Sequence, residues 1–172
     1  MFTRRQLLAA GAGLGVATLA LKVLPWQGGE GRLLGAAQAD EAFEVSHTDN
    51  QWRTLLSPEQ YRVLRQEGTE RAYSSALNDE HRAGTFACAG CALALFSSTT
   101  KFDSHTGWPS FWAPLEQAVA QRSDRSLGMQ RTEVHCRRCG GHLGHVFDDG
   151  PAPTGLRYCM NGLAMNFTVQ AA

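Results

Sequence analysis

The stretch SDRSLGMQRTEVHCRRCGGHLGHVFDDGPAPTG, Ser123 to Gly155, decides the fold. It reads as two strands, around Arg131–His135 and His142–Phe147, joined by a tight Cys136-x-x-Cys139 turn and closed by a Gly, Pro and Asp cluster at 148–155. Upstream, GTFACAGCALALF (84–96) repeats the plan as strand, turn, strand, with Cys88 and Cys91 in its turn. Downstream, LRYCMNGLAMNFTV (156–169) alternates with period two. Leu156, Tyr158 and Met160 take one face, Arg157, Cys159 and Asn161 the other, and Leu163, Met165, Phe167 and Val169 continue the alternation. A single helix is well marked before these strands: Ser57 is an N-cap, Pro58 suits the first helical position, Gln60 completes a capping box, Leu56 can staple onto Tyr61, and Gly68 ends it. Its apolar Tyr61, Val63 and Leu64 suit packing on a sheet. Short strands with little helix give a mainly-β domain.

The chain has 172 residues and balanced charge, 16 Lys+Arg against 16 Asp+Glu. Residues 1–39 stand apart. Arg4 and Arg5 precede an uncharged run from Gln6 to Leu21, and an Ala-x-Ala cleavage site ends at Ala39. The run is short and glycine-rich for a bilayer span, which needs about 20 apolar residues. It reads as a secretory signal of the twin-arginine type, and the expected location is the periplasm. Residues 40–50 read as a polar tail and 51–170 as the domain. From Asp40 onward, 12 Lys/Arg face 15 Asp/Glu, a formal charge of −3 that suits nucleic acid poorly. The mature domain is expected to be a monomer with no stable membrane insertion.

Four of the five cysteines form two Cys-x-x-Cys pairs, Cys88/Cys91 and Cys136/Cys139, with 44 residues between Cys91 and Cys136. Two such turns can aim four thiolates at one point, the closed tetrahedron of structural zinc. The alternatives are two local disulfides, open to an exported protein, and a site of Cys136, Cys139, His142 and His145 at steps of three. The latter strands Cys88 and Cys91. On a regular strand it also sends the two histidines to opposite faces.

The solitary Cys159 shares its strand face with Arg157, a cation expected to favour the thiolate, and with the Asn161 amide. His142, His145, Asp148 and Asp149 supply nearby titratable groups, and a histidine can move protons at neutral pH. In KFDSHTGWPSFW (101–112), Trp108 lies between Gly and Pro at a turn where a ring can line a pocket, and Phe111 is an aromatic candidate beside it.

These stretches resemble the B-type methionine-R-sulfoxide reductases over about Trp52 to Val169. The motifs that carry the resemblance are GTE, CAGC, KFDSHTGWPSF, RTEVHCRRCGGHLGHVFDDGP, PTGLRYCMN and MNF, in family order. The resemblance implies two antiparallel sheets with short N-terminal helices, and one structural zinc on Cys88, Cys91, Cys136 and Cys139. It makes Cys159 the nucleophile that becomes a sulfenic acid, and His145, with His142 beside it, the acid. Arg157 and Asp149 tune the network and Asn161 orients it. Trp108 is the wall that receives the methyl group of the substrate, an oxidised protein. Phe111 stands as a second substrate-binding candidate on its ring alone, with core packing as the expected reading. Many family members carry a resolving cysteine just before the Gly-Trp; Thr106 stands there in this chain. Recycling by an external, thioredoxin-like thiol is therefore expected. Gly162 replaces the usual serine, with a small expected effect. The rival readings are an inactive zinc-stapled binding module and a thiol peroxidase.

Overall fold

The computed structural model describes residues 42–171. The signal segment read at 1–39 lies outside them. Helix α1 (Asp49–Leu55) is one of the short N-terminal helices that the resemblance implies, though no residue pattern marked it; Thr48 caps it in a reciprocal box with Gln51. The segment before it, within the residues read as a polar tail, docks on the domain. The Val45 N–H donates to the Arg138 carbonyl at 3.0 Å, and the Phe43 ring meets His135 edge-on. Two apolar side chains among polar ones left no period to read. Helix α2 (Pro58–Gln66) begins as expected, with Ser57 and Gln60 forming the box and Tyr61, Val63 and Leu64 buried. Its end differs. Glu67, not Gly68, takes the left-handed conformation, at φ 53°. Gly68 is needed for close approach, since a Cβ there would lie 2.8 Å from the Arg62 carbonyl oxygen.

The strands form two antiparallel sheets. In the three-stranded sheet, β1 (Gly84–Cys88) lies between β2 (Ala94–Ser97) and β9 (Met165–Val169). The six-stranded sheet runs in the order β3 (Lys101–Phe102), β4 (Ser110–Phe111), β8 (Arg157–Met160), β7 (His142–Phe147), β6 (Arg131–Cys136), β5 (Val119–Asp124). Aromatic rings join the two sheets: Phe96 stacks on Phe111 at 4.3 Å and Phe86 meets Phe111 edge-on at 4.9 Å. Phe111 is therefore core, the packing expected for it, and not a substrate-binding residue; it is fully buried and points away from its neighbour Ser110 along the strand. Burying rings of this size is worth about 1.5–3 kcal/mol each.

The long alternation of 156–169 does not make one strand. A single helical turn at Gly162–Ala164 interrupts it and carries the chain from one sheet to the other. Buried Glu70, from the GTE motif, fastens this turn by accepting the N–H groups of Gly162 at 2.6 Å and Leu163 at 3.0 Å. Ser75 closes over Gly162. A Cβ there would lie 1.9 Å from Ser75 Oγ and 2.6 Å from Ser75 Cβ.

Candidate active site and metal centre

One transverse row of cross-strand partners in the large sheet reads Arg122, Glu133, His145, Cys159, Ser110, one residue from each of five strands. Partners directly opposite share a face, so side chains far apart in sequence meet in line. Two residues along, Asp124 opposes Arg131 and Phe147 opposes Arg157. The same face therefore carries this second row.

A bulge brings the two histidines together. Val134 pairs with Gly144 but the next residue, His135, pairs with His142, leaving Leu143 as the extra residue. The insertion puts His142 and His145 on one face with ring centroids 5.4 Å apart, against the expectation from regular alternation. Their partners differ. His142 is buried, with Nδ1 2.7 Å from Glu133 Oε1. Glu133 also binds Arg122, which reaches Glu67 beyond α2 at 2.5 Å. His145 places Nε2 2.8 Å from Asp124 Oδ2, and Arg131 Nη2 lies 2.6 Å from the same oxygen. A carboxylate only accepts, so neutral His145 carries its hydrogen on Nε2 and keeps Nδ1 as a base. Burial lowers the His145 pKa, with Asp124 pulling it back up. Hydrogen bonds from Ser126 and then His145 hold the Asp124 carboxyl well below the usual range.

Cys159 lines a cavity of about 150 Å³ together with Trp108, His145, Asn161, Phe147, Arg131, Gly144 and Thr69. The Trp108 indole donates to the Glu70 carbonyl at 3.2 Å, which fixes the ring as one wall. Asn161 is locked at both ends, accepting from the Glu70 N–H at 2.9 Å and donating to the Leu143 carbonyl at 3.0 Å. Arg157 does not line the cavity. It sits over the Phe147 ring at 4.4 Å, and Asp149 accepts two hydrogen bonds from it, each 2.8 Å. The structure reverses one expectation. Burial raises the Cys159 pKa above its ordinary value, against the opposing pull of Thr106, Arg157 and Ser110. Arg157 does favour the thiolate as expected, but burial outweighs it, and the balance lies on the thiol side.

Arg131, Asp124 and Phe147 belong to the site although sequence reasoning did not single them out. Arg131, Glu133 and His135 at period two were the available signal: ionisable groups aligned on one strand face. Asp124 gave none, because β5 was not recognised as a strand.

The four paired cysteines form a separate centre. Their sulfurs all lie within 4.8 Å of one another, with Cys88–Cys139 at 3.7 Å and Cys91–Cys136 at 3.5 Å. A zinc tetrahedron with bonds of about 2.3 Å has edges of about 3.8 Å, whereas a disulfide needs about 2.05 Å. The sulfurs fit zinc, and none of the five cysteines is in a disulfide. The histidines take no part in this centre. The two turns are the same turn. The Ala92 and Gly140 N–H groups donate to the Cys88 and Cys136 carbonyls at 2.8 Å, and both residues are left-handed, φ 58° and 67°.

These features define a β domain with a four-cysteine metal centre and one further cysteine outside it. The SelR domain family model matches residues 56–169. The peptide methionine sulfoxide reductase MsrB of Thiobacillus denitrificans is 59% identical over 121 residues, 70% of this chain and 92% of that protein. The protein of the same name from Leptospira interrogans is 53% identical over 126 residues, 73% of this chain and 96% of its own length. That of Methanosarcina barkeri is 51% identical over 127 residues, covering 73% and 89%. The chain belongs to the SelR domain family.

Proposed function

We propose that this chain reduces methionine-R-sulfoxide, with Cys159 as nucleophile and His145 as proton carrier. The observation that carries the assignment is the cavity that joins the one thiol outside the metal centre to an indole wall and an imidazole. The substrate's methyl group lies against Trp108, and its sulfur faces Cys159. The resting thiol and the neutral imidazole together hold one transferable proton, and the reaction needs one. His145 Nδ1 takes the Cys159 proton, the thiolate attacks the sulfoxide sulfur to form a sulfur–sulfur bond, and the imidazolium delivers the proton to the sulfoxide oxygen. The sulfur–sulfur bond and the substrate's sulfur–oxygen bond then break as the hydroxyl passes to the Cys159 sulfur, which leaves the methionine sulfur with its electron pair. Cys159 ends as a sulfenic acid, oxidised by two electrons, and methionine leaves reduced by two. Asp124 acts as a positioning residue that sets the His145 tautomer and stabilises its charged form. Zinc, when bound on its four cysteines, holds the two turns together; no step of the reaction passes through it.

Among the described residues the other four cysteines belong to the metal centre, and Thr106 occupies the position beside the Cys159 sulfur. An external dithiol of the thioredoxin type therefore reduces the sulfenic acid, yielding water and a disulfide on the donor. Exposed Thr69 at the cavity rim favours a side chain presented on a polypeptide. The twin arginines and the Ala-x-Ala site support export to the periplasm, and no described helix is long and apolar enough to cross a membrane. A peptide carrying both sulfoxide epimers, incubated with a dithiol, tests the assignment. The R epimer should be consumed fully and the S epimer left; equal loss of both, or of neither, would contradict it.

A further inference from the structure

A run of hydroxyls ends on the reacting sulfur, and the chemistry above leaves it unused. Thr106 Oγ1 lies 3.9 Å from Cys159 Sγ, Ser104 Oγ 2.8 Å from Thr106 Oγ1, and Ser110 Oγ 2.7 Å from Ser104 Oγ. Ser110 Oγ lies 3.1 Å from the Trp108 carbonyl oxygen. Each hydroxyl owns one hydrogen, and a carbonyl only accepts. The Trp108 carbonyl thus sets the polarity. Ser110 donates to it, Ser104 to Ser110, and Thr106 to Ser104. The hydrogen that remains for the sulfur end is the thiol's own, so this polarity satisfies a thiol.

A thiolate only accepts and demands the opposite polarity. Thr106 then donates to sulfur, Ser104 to Thr106 and Ser110 to Ser104. Reversal breaks only the hydrogen bond to the Trp108 carbonyl, the longest of the three oxygen–oxygen distances along the run. We propose that Thr106 is a catalytic residue whose hydroxyl accepts from the resting Cys159 thiol and turns to donate to the attacking thiolate, with Ser104 and Ser110 reversing behind it. The proposal rests on the reading of Cys159 as nucleophile. No proton travels along the chain; three hydroxyls rotate while the proton leaves through His145.

The charged groups around Cys159 cannot serve both of its forms: Arg157 favours only the thiolate, and each of these groups already has a carboxylate partner. Arg157 on β8 is held by Asp149, Arg131 on β6 by Asp124, and His145 on β7 by Asp124. On the Thr106 loop itself, Asp103 and His105 pair with each other in solvent. A neutral chain that reverses serves both protonation states, and each donor is strengthened by the hydroxyl donating to it.

Alkylation of Cys159 by iodoacetamide, followed across pH by peptide mass spectrometry on the zinc-loaded chain, reads the thiolate without any sulfoxide. In Thr106→Val the midpoint should rise by about one pH unit, slowing alkylation about tenfold at neutral pH. Thr106→Ser should stay within about twofold of the parent, and Ser104→Ala should shift the same way by less. The Thr106→Val/Ser104→Ala double variant should shift no further than Thr106→Val, because the two act through one chain. A Thr106→Val profile that superimposes on the parent's, or additive shifts, overturns the proposal. Should Thr106→Val lose its zinc, a parent-like profile for Ser104→Ala overturns it instead. A parent that leaves R-sulfoxide untouched sinks the Cys159 reading, yet the alkylation comparison stays legible.

Discussion

Cys159→Ser is expected to lower kcat/KM for methionine-R-sulfoxide by at least about 1,000-fold, some 4 kcal/mol of barrier. The size follows from the electron count. Serine can hold the position of the sulfur, but its oxygen cannot give up two electrons to become the counterpart of a sulfenic acid. The cavity, the His145–Asp124 pair and the Trp108 wall do not depend on the thiol. Substrate binding should therefore survive while turnover does not. Zinc content and melting temperature should match the parent, since Cys159 is outside the four-sulfur cluster. Methionine release by chromatography, with zinc assay and thermal melting alongside, checks both halves. A serine variant that still turns over would move the chemistry elsewhere in the molecule.

Stripping the metal should cost almost as much, through the fold instead of the chemistry. Structural zinc contributes about 10–16 kcal/mol of apparent binding free energy in small zinc domains. Here it joins β1 and its turn, in one sheet, to the β6–β7 turn of the other. Trp52 and Arg65 sit against this centre, the Arg65 guanidinium 4.9 Å from the Trp52 ring and donating to the Cys139 carbonyl at 2.9 Å. The metal-free protein, or Cys139→Ser, should lose at least about 5 kcal/mol, a fall of about 15–20 °C in Tm. Activity should fall only as far as the folded fraction falls, because no zinc ligand lines the Cys159 cavity. Calorimetry before and after chelation measures it. An unchanged Tm after the metal is gone would contradict a structural role.

The parts of this architecture that were legible in the sequence are those written in local chemistry. Ser57, Pro58 and Gln60 announce α2 because a capping box is a three-residue device. The Cys-x-x-Cys turns announce themselves because chelation fixes their spacing, and even the atypical Ala92 adopts the left-handed turn that Gly140 adopts. What stayed hidden depends on register. The meeting of His142 and His145 hangs on one extra residue, Leu143, in the β6–β7 ladder, and alternation alone sends the two apart. Asp124 reaches His145 only because β5 pairs with β6, and its VAQRSD sequence has too little apolar patterning to read as a strand. Arg157 misled in a different way. It does stand near Cys159 and pulls its pKa down, but burial outweighs that pull, and Asp149 shares the guanidinium.

The most direct test of the central claim is the intact mass of the zinc-loaded protein after one equivalent of methionine-R-sulfoxide, with no reductant present. The predicted result is a gain of one oxygen atom per chain, mapped to Cys159 by a sulfenic-acid trap, with one methionine released and zinc retained. An unchanged mass, or oxidation appearing on Cys88, Cys91, Cys136 or Cys139 instead, would contradict the account.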